Sequence, residues 1–126
     1  MSDMGTFRTT ILIESLVRRG DTRTVDNALV DTGSEFTWVP REVLEALGVK
    51  PERTQYFLIA DGRTLERPVG YAIVHAGGTD APDLVVFADP DDMVLLGARS
   101  LEGMNLRVDA LRKQLVPAGP ILAGVA

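Results

Sequence analysis

Apolar residues recur along this chain in short runs with the two-residue period of strands, broken by turns rich in glycine, aspartate and proline. Residues 9–17 are apolar and β-branched, Arg18-Arg19-Gly20-Asp21 predicts a turn, and residues 22–30 resume the pattern. Together they predict a hairpin feeding a strand that ends at Asp31. Residues 54–60 and 63–76 flank Asp61-Gly62, a pair suited to a two-residue turn with positive φ, and predict a second hairpin. Pro68 and Gly70 interrupt its returning arm, which is therefore expected to be bent or to lie at an edge. Residues 83–88 and 93–96 read as strands on either side of the acidic turn Asp89-Pro90-Asp91-Asp92. Residues 106–108 and 114–116 are expected to close the sheet.

Two stretches follow a helical period instead. In residues 41–48, Val43, Leu44 and Leu47 share one face, with Pro40 at the start and Gly48 as a stop. Residues 97–103 fit one or two turns with Ala98, Leu101 and Met104 on one face. The sum is an all-β fold: a small closed barrel of short strands with one or two short helices. Repeats, low-complexity tracts and linkers are absent, so residues 1–126 read as a single domain. Its core is expected to span about residues 6–117, and the Gly-, Ala- and Pro-rich tail 118–126 is expected to be loose.

Composition narrows the chemistry. At 126 residues, 45% hydrophobic and 25% charged, the chain can bury one core. A formal charge of −5 argues against nucleic acid or an anionic membrane surface as partner. The absence of cysteine removes disulfides, thiol nucleophiles and Cys-based zinc sites. Residues 1–6 lack the basic-then-apolar pattern of a secretory signal, and no apolar run approaches the ~20 residues that span a bilayer. A cytoplasmic protein is the expectation.

The best candidate for chemistry is Asp31-Thr32-Gly33-Ser34. It follows the apolar run Ala28-Leu29-Val30 and precedes Phe36-Thr37-Trp38-Val39, so its carboxylate sits on a turn entered and left by buried backbone. Gly33 lets the chain fold back and its amide approach the carboxylate, while Thr32 and Ser34 add hydroxyls. Asp, Thr, Gly and Ser are also ordinary surface-turn residues, and such a triplet arises by chance in roughly a few per cent of chains this long. The apolar setting is what raises it above that background. Two further features stand in order behind it: the hairpin around Ala60-Asp61-Gly62, and Met93-Val94-Leu95-Leu96-Gly97 followed by a short helical stretch.

This ordered set, from about Thr6 to Pro117, resembles the retropepsin-like aspartic proteases, especially their small single-domain bacterial members. The resemblance implies an acid-protease fold and peptide-bond hydrolysis with Asp31 as the catalytic carboxylate. It implies that Thr32 braces the loops across a dimer axis, that Ser34 supports the carboxylate, and that the tip at Ala60, Asp61 and Gly62 closes over an extended polypeptide substrate as a flap. Such chemistry needs two carboxylates around one water. The chain holds one Asp-Thr-Gly and no Asp-Ser-Gly, so the expected partner is a second copy of itself in a homodimer. No metal or organic cofactor is implied. Viral members usually carry arginine directly after the glycine equivalent to Gly97; here Ala98 follows and Arg99 comes one residue later, so the dimer-bridging role is not transferred to Arg99. A module of this fold that dimerises or binds peptide without turnover would carry the same motifs.

Other sites compete poorly. His75 is the only histidine and has no nucleophile motif beside it. Asp89-Pro90-Asp91-Asp92 lacks the spaced oxygen ligands of a calcium loop. Gly77-Gly78 carries no phosphate-loop lysine and reads as a turn. Phe36, Trp38 and Phe57 read as core residues, although an aromatic near the second hairpin could line a side-chain pocket.

Overall fold

The computed structural model describes residues 7–124. Its elements are β1 (Phe7–Glu14), β2 (Thr22–Asp31), β3 (Trp38–Pro40), α1 (Arg41–Ala46), β4 (Arg53–Leu58), β5 (Thr64–Ala76), β6 (Thr79–Ala88), β7 (Leu95–Gly97), α2 (Ala98–Gly103), β8 (Leu106–Asp109) and β9 (Gln114–Pro117). Strands dominate and both helices are short, as the apolar periodicity predicts. Seven strands form one sheet in the order β1-β2-β7-β3-β6-β5-β4, and a further β1–β5 pairing closes six of them into a ring. Residues 1–5 of the expected domain and Thr6 of its expected core lie outside the described residues, as do tail residues 125 and 126.

Closure differs from the sequence expectation. β8 and β9 form a separate two-stranded sheet, and the ring is closed by Leu12, Ile13 and Glu14 of β1 against His75, Val74 and Ile73 of β5. The physical reason is the length of β5. One edge takes β4 along residues 64–69 and β1 along 73–75, while the other takes β6 along 69–76, so no stretch is left for β8 or β9. Nor is this arm an edge strand. Pro68 comes one residue before β6 joins at Val69, where its missing N–H interrupts no ladder on that side. Gly70 is there for close approach, since a Cβ at that position would lie 2.6 Å from Lys50 O.

The β1–β2 hairpin carries a bulge that sets the phase of the strand leading to Asp31. Thr9 pairs with Ala28 and Ile11 with Val25, so Asp26 and Asn27 together oppose Thr10. Asn27 takes φ of 59°, a left-handed conformation that asparagine tolerates. The extra residue lets Val25, Ala28 and Val30 all face the core, which a strict two-residue period would forbid.

β6 is buried on both faces. Val85 and Phe87 join the main core with Ile11, Ile13, Val30, Leu44, Leu47 and Leu96. Leu84, Val86 and Ala88 face a second cluster with Trp38 and Val69, against which Phe36, Phe57, Leu65 and Leu95 pack. The second cluster carries the β4–β5 hairpin: Phe57 meets Trp38 at 4.9 Å and Phe36 edge-on at 5.4 Å between ring centroids. α1 follows Pro40 as its N-cap and is ended by Leu47 and Gly48, φ 69°, with Leu44 and Leu47 completely buried.

His75 is a structural partner for Glu14. β1 ends at Glu14, earlier than the apolar run suggests, because side chains there seize the following loop. The Ser15 hydroxyl accepts Arg18 N–H at 2.9 Å. The Glu14 carboxylate accepts Gly20 N–H at 2.7 Å, His75 Nε2–H at 2.6 Å and Arg19 Nε–H at 3.0 Å. These donors, the Gly20 amide foremost, hold the Glu14 pKa down from 4.5 to about 2. A depressed carboxylate contributes stability above its unfolded pKa and loses it as pH falls through the folded one. Glu14→Gln is therefore expected to lower the urea midpoint near neutral pH, with the deficit shrinking between about pH 4.5 and 2. Paired urea titrations across that window check it, and a deficit that ignores pH would assign Glu14 to shape alone.

Candidate active site

Asp31 is the last residue of β2 and pairs in parallel register with Gly97, the last of β7. The chain then turns sharply. Gly33 N–H donates to Asp31 Oδ1 at 2.9 Å and Ser34 N–H to Asp31 O at 3.1 Å. A Cβ on Gly33 would stand 3.2 Å from that same carboxylate oxygen, so the bare α-carbon is what lets amide and carboxylate meet. Asp31 is half-buried and Thr32 and Gly33 are exposed, leaving the turn open on the side away from its own core.

Ser34 does a different job from the one expected of it. Its hydroxyl donates to Phe36 O at 3.1 Å, stitching the turn rather than bonding the carboxylate. The backbone beyond it is clamped to the start of α2. Ala98 N–H donates to Ser34 O at 2.8 Å and Arg99 N–H to Glu35 O at 2.9 Å. The Arg99 guanidinium lies over the Phe36 ring, 4.9 Å from its centroid, and 3.9 Å from Asp83 Oδ1. Arg99 thus has partners within its own chain.

The second hairpin ends in a three-residue loop, not the two-residue turn expected. Ile59 N–H donates to Arg63 O and Gly62 N–H to Ile59 O, both at 2.9 Å, which encloses Ala60, Asp61 and Gly62. Gly62 alone of the three has positive φ, 90°. The reason is the Asp61 side chain, which accepts Arg63 N–H at 2.9 Å and Arg63 Nε–H at 2.7 Å. Those bonds, the backbone one first, lower the Asp61 pKa.

Beneath this tip lies a cavity of about 420 Å³. Trp38, Leu65, Met93 and Leu95 supply apolar lining, and Ala60 and Asp61 come from the hairpin tip. Trp38 and Leu65 are therefore both cluster residues and cavity wall. Leu65, Met93 and Leu95 were not singled out as site residues from sequence; the apolar run beside the acidic turn was the available signal. Asp31 does not line this cavity, nor does Gly62.

The Asp89–Asp92 turn holds the cavity's rim. Arg67 makes two bonds to Asp92, 2.7 and 2.9 Å, and Arg41 donates twice to Asp89 Oδ1, at 3.0 and 3.1 Å. The Arg67 bonds lower the Asp92 pKa and raise that of Arg67. A second concavity of about 420 Å³ lies between α1 and this turn, and it is lined by Arg41 and Asp89, already paired with each other. Among the described residues, no three His, Asp or Glu side chains are grouped to hold a metal ion, and no helix is long and apolar enough to cross a membrane.

No curated protein matches the chain. A family model described as gag-polyprotein putative aspartyl protease matches residues 21–103, a segment that holds β2, the Asp31 turn, the β4–β5 hairpin and α2. With its ring of short strands, its two short helices and this match over most of its length, the chain belongs to that family of retropepsin-like aspartyl proteases.

Proposed function

We propose that the protein is an aspartic endopeptidase that works as a homodimer, each subunit contributing Asp31 to a shared dyad. The observation that carries this is the Asp31 turn: a carboxylate at the end of a strand whose Ala28 and Val30 are buried, braced by one backbone N–H and open on its outer side. One such turn supplies half of what peptide hydrolysis requires. Two copies about a twofold axis bring the carboxylates together around one water and leave a single proton between them. The unprotonated carboxylate takes a proton from water as it attacks the peptide carbonyl. Its protonated partner polarises the carbonyl oxygen, and the proton then passes to the leaving amine. Thr32, exposed beside Asp31, braces the facing turns in this reading.

The β4–β5 tip covers an extended polypeptide and excludes water from the dyad. The cavity beneath it receives an apolar side chain of that substrate against Trp38, Leu65, Met93 and Leu95, while Asp61, Arg63, Asp91 and Asp92 supply the charged part of its lining. Incubation with an unfolded polypeptide between about pH 3 and 7 is expected to give defined fragments, faster toward acid, because one member of the dyad must hold a proton. A statine-type compound, whose hydroxyl replaces the water, is expected to stop the reaction. A pure dimer that binds such polypeptides and never cuts them would instead be a silent binding module.

A further inference from the structure

Three side chains that no local sequence pattern joins meet behind the Asp31 turn. Thr37 is 0% and Ser100 1% exposed, and the Asp83 side chain beside them is 10% exposed. Gly97 N–H donates to Thr37 Oγ1 at 3.0 Å, Thr37 Oγ1 lies 2.6 Å from Ser100 Oγ, and Ser100 Oγ donates to Asp83 Oδ2 at 2.8 Å. The protons are fixed by what the two ends can do. An amide N–H only donates and an ionised carboxylate only accepts, so the Ser100 proton points to Asp83 and the Thr37 proton to Ser100. The chain therefore runs one way, from amide through two hydroxyls to carboxylate, and each bond polarises the next.

Two members of the chain are also bonded to the backbone of β6. Asp83 Oδ1 accepts Leu84 N–H at 2.7 Å within β6. Thr37 O accepts Val86 N–H from the same strand at 2.9 Å. The amide at the other end belongs to Gly97, the residue registered with Asp31 across β2–β7.

Resting on the peptidase reading, we infer that Asp83, Ser100 and Thr37 are positioning residues for Asp31. Their hydrogen-bonded chain ties Gly97, and with it the end of β7, to β6, and so sets where the Asp31 carboxylate stands. A dyad that must share one proton tolerates little displacement, and a shift of about 1 Å at reacting groups costs on the order of 10²-fold in rate. The family match ends at residue 103, so all three residues lie inside it.

The test combines cleavage kinetics with a readout that needs no turnover. Thr37→Val keeps the shape and removes the hydroxyl, while Ser100→Ala opens the chain in its middle. Each is expected to lower kcat about 10- to 100-fold with KM changed less than about twofold, and Thr37→Ser to recover most of the loss. By NMR, both disruptive variants are expected to shift the Asp31 carboxyl titration and to speed Gly97 amide exchange at least about tenfold. Variants that cleave and titrate like the parent protein overturn the inference, whatever their stability. So does Thr37→Ser losing as much as Thr37→Val, since keeping the hydroxyl would then rescue nothing. Should a variant not fold, the parent protein still decides: its Thr37 and Ser100 hydroxyl protons must exchange slowly enough to be seen, and fast exchange of both overturns the chain. A parent protein that cuts no polypeptide ends the peptidase reading, while the Asp31 titration and Gly97 exchange still judge the positioning.

Discussion

Asp31→Asn is expected to lower kcat by at least about 10³-fold while the dimer stays assembled. The amide has the shape of the carboxylate, and its oxygen still accepts the Gly33 N–H now held at 2.9 Å, so the turn has no reason to move. What it loses is the ability to take a proton from water or to share one with its partner. A fall in cleavage with an unchanged sedimentation profile separates lost chemistry from lost assembly. The sharper experiment mixes the two proteins. If each subunit gives half of one dyad, a dimer with a single Asp31 is as dead as one with none. An equal mixture that exchanges subunits freely keeps about one quarter of its dimers intact, and activity should fall to about that fraction of an all-parent sample at the same total concentration. Activity at one half would mean that each subunit works alone, and would sink the two-chain dyad.

Legibility in the sequence followed the range of the interactions. Local signals were readable: the apolar alternation of β1 and β2, Pro40 and Gly48 bounding α1, and Gly77-Gly78 turning β5 into β6. The Asp31 turn was readable too, because the carboxylate and the amide that braces it are two residues apart. The bulge at Asp26 and Asn27 was not, since it exists to reconcile the facings of Val25 and Val30 with a partner strand. Ring closure escaped for the same reason. Which strand meets β5 depends on the edge that β4 and β6 leave open, and nothing in residues 106–117 advertises that the place is taken. At the hairpin tip, Asp61-Gly62 named the turn correctly as a location, but the Asp61 side chain reaching Arg63 chose a longer loop. Thr37 and Ser100 stand 63 positions apart and touch only because α2 and the backbone of Thr37 both pack onto β6.

Gly97→Ala carries the largest expected loss of stability, and it joins the fold to the site. The conformation at Gly97, φ −97° and ψ 174°, is one alanine adopts freely, so the cost is one of space alone. A Cβ there would fall 2.4 Å from Phe36 O, 2.6 Å from Phe36 C and 2.9 Å from Glu35 O. All three are backbone atoms of the segment that follows the Asp31 turn, and none can rotate aside. That segment is also held in place by Ser34 O and Glu35 O accepting from Ala98 and Arg99, so relief requires β7 and the turn to separate. The expected cost is about 3 kcal/mol, or a fall of about 10 °C in Tm for a domain of this size. Gly62→Ala is the control. It has open space around it and only a positive φ to strain, so it should cost about 1 kcal/mol and leave the Asp31 turn untouched. Thermal melts of both variants decide the matter: if Gly97→Ala is the milder of the two, the strand that backs Asp31 is not packed against Phe36 as closely as the geometry requires.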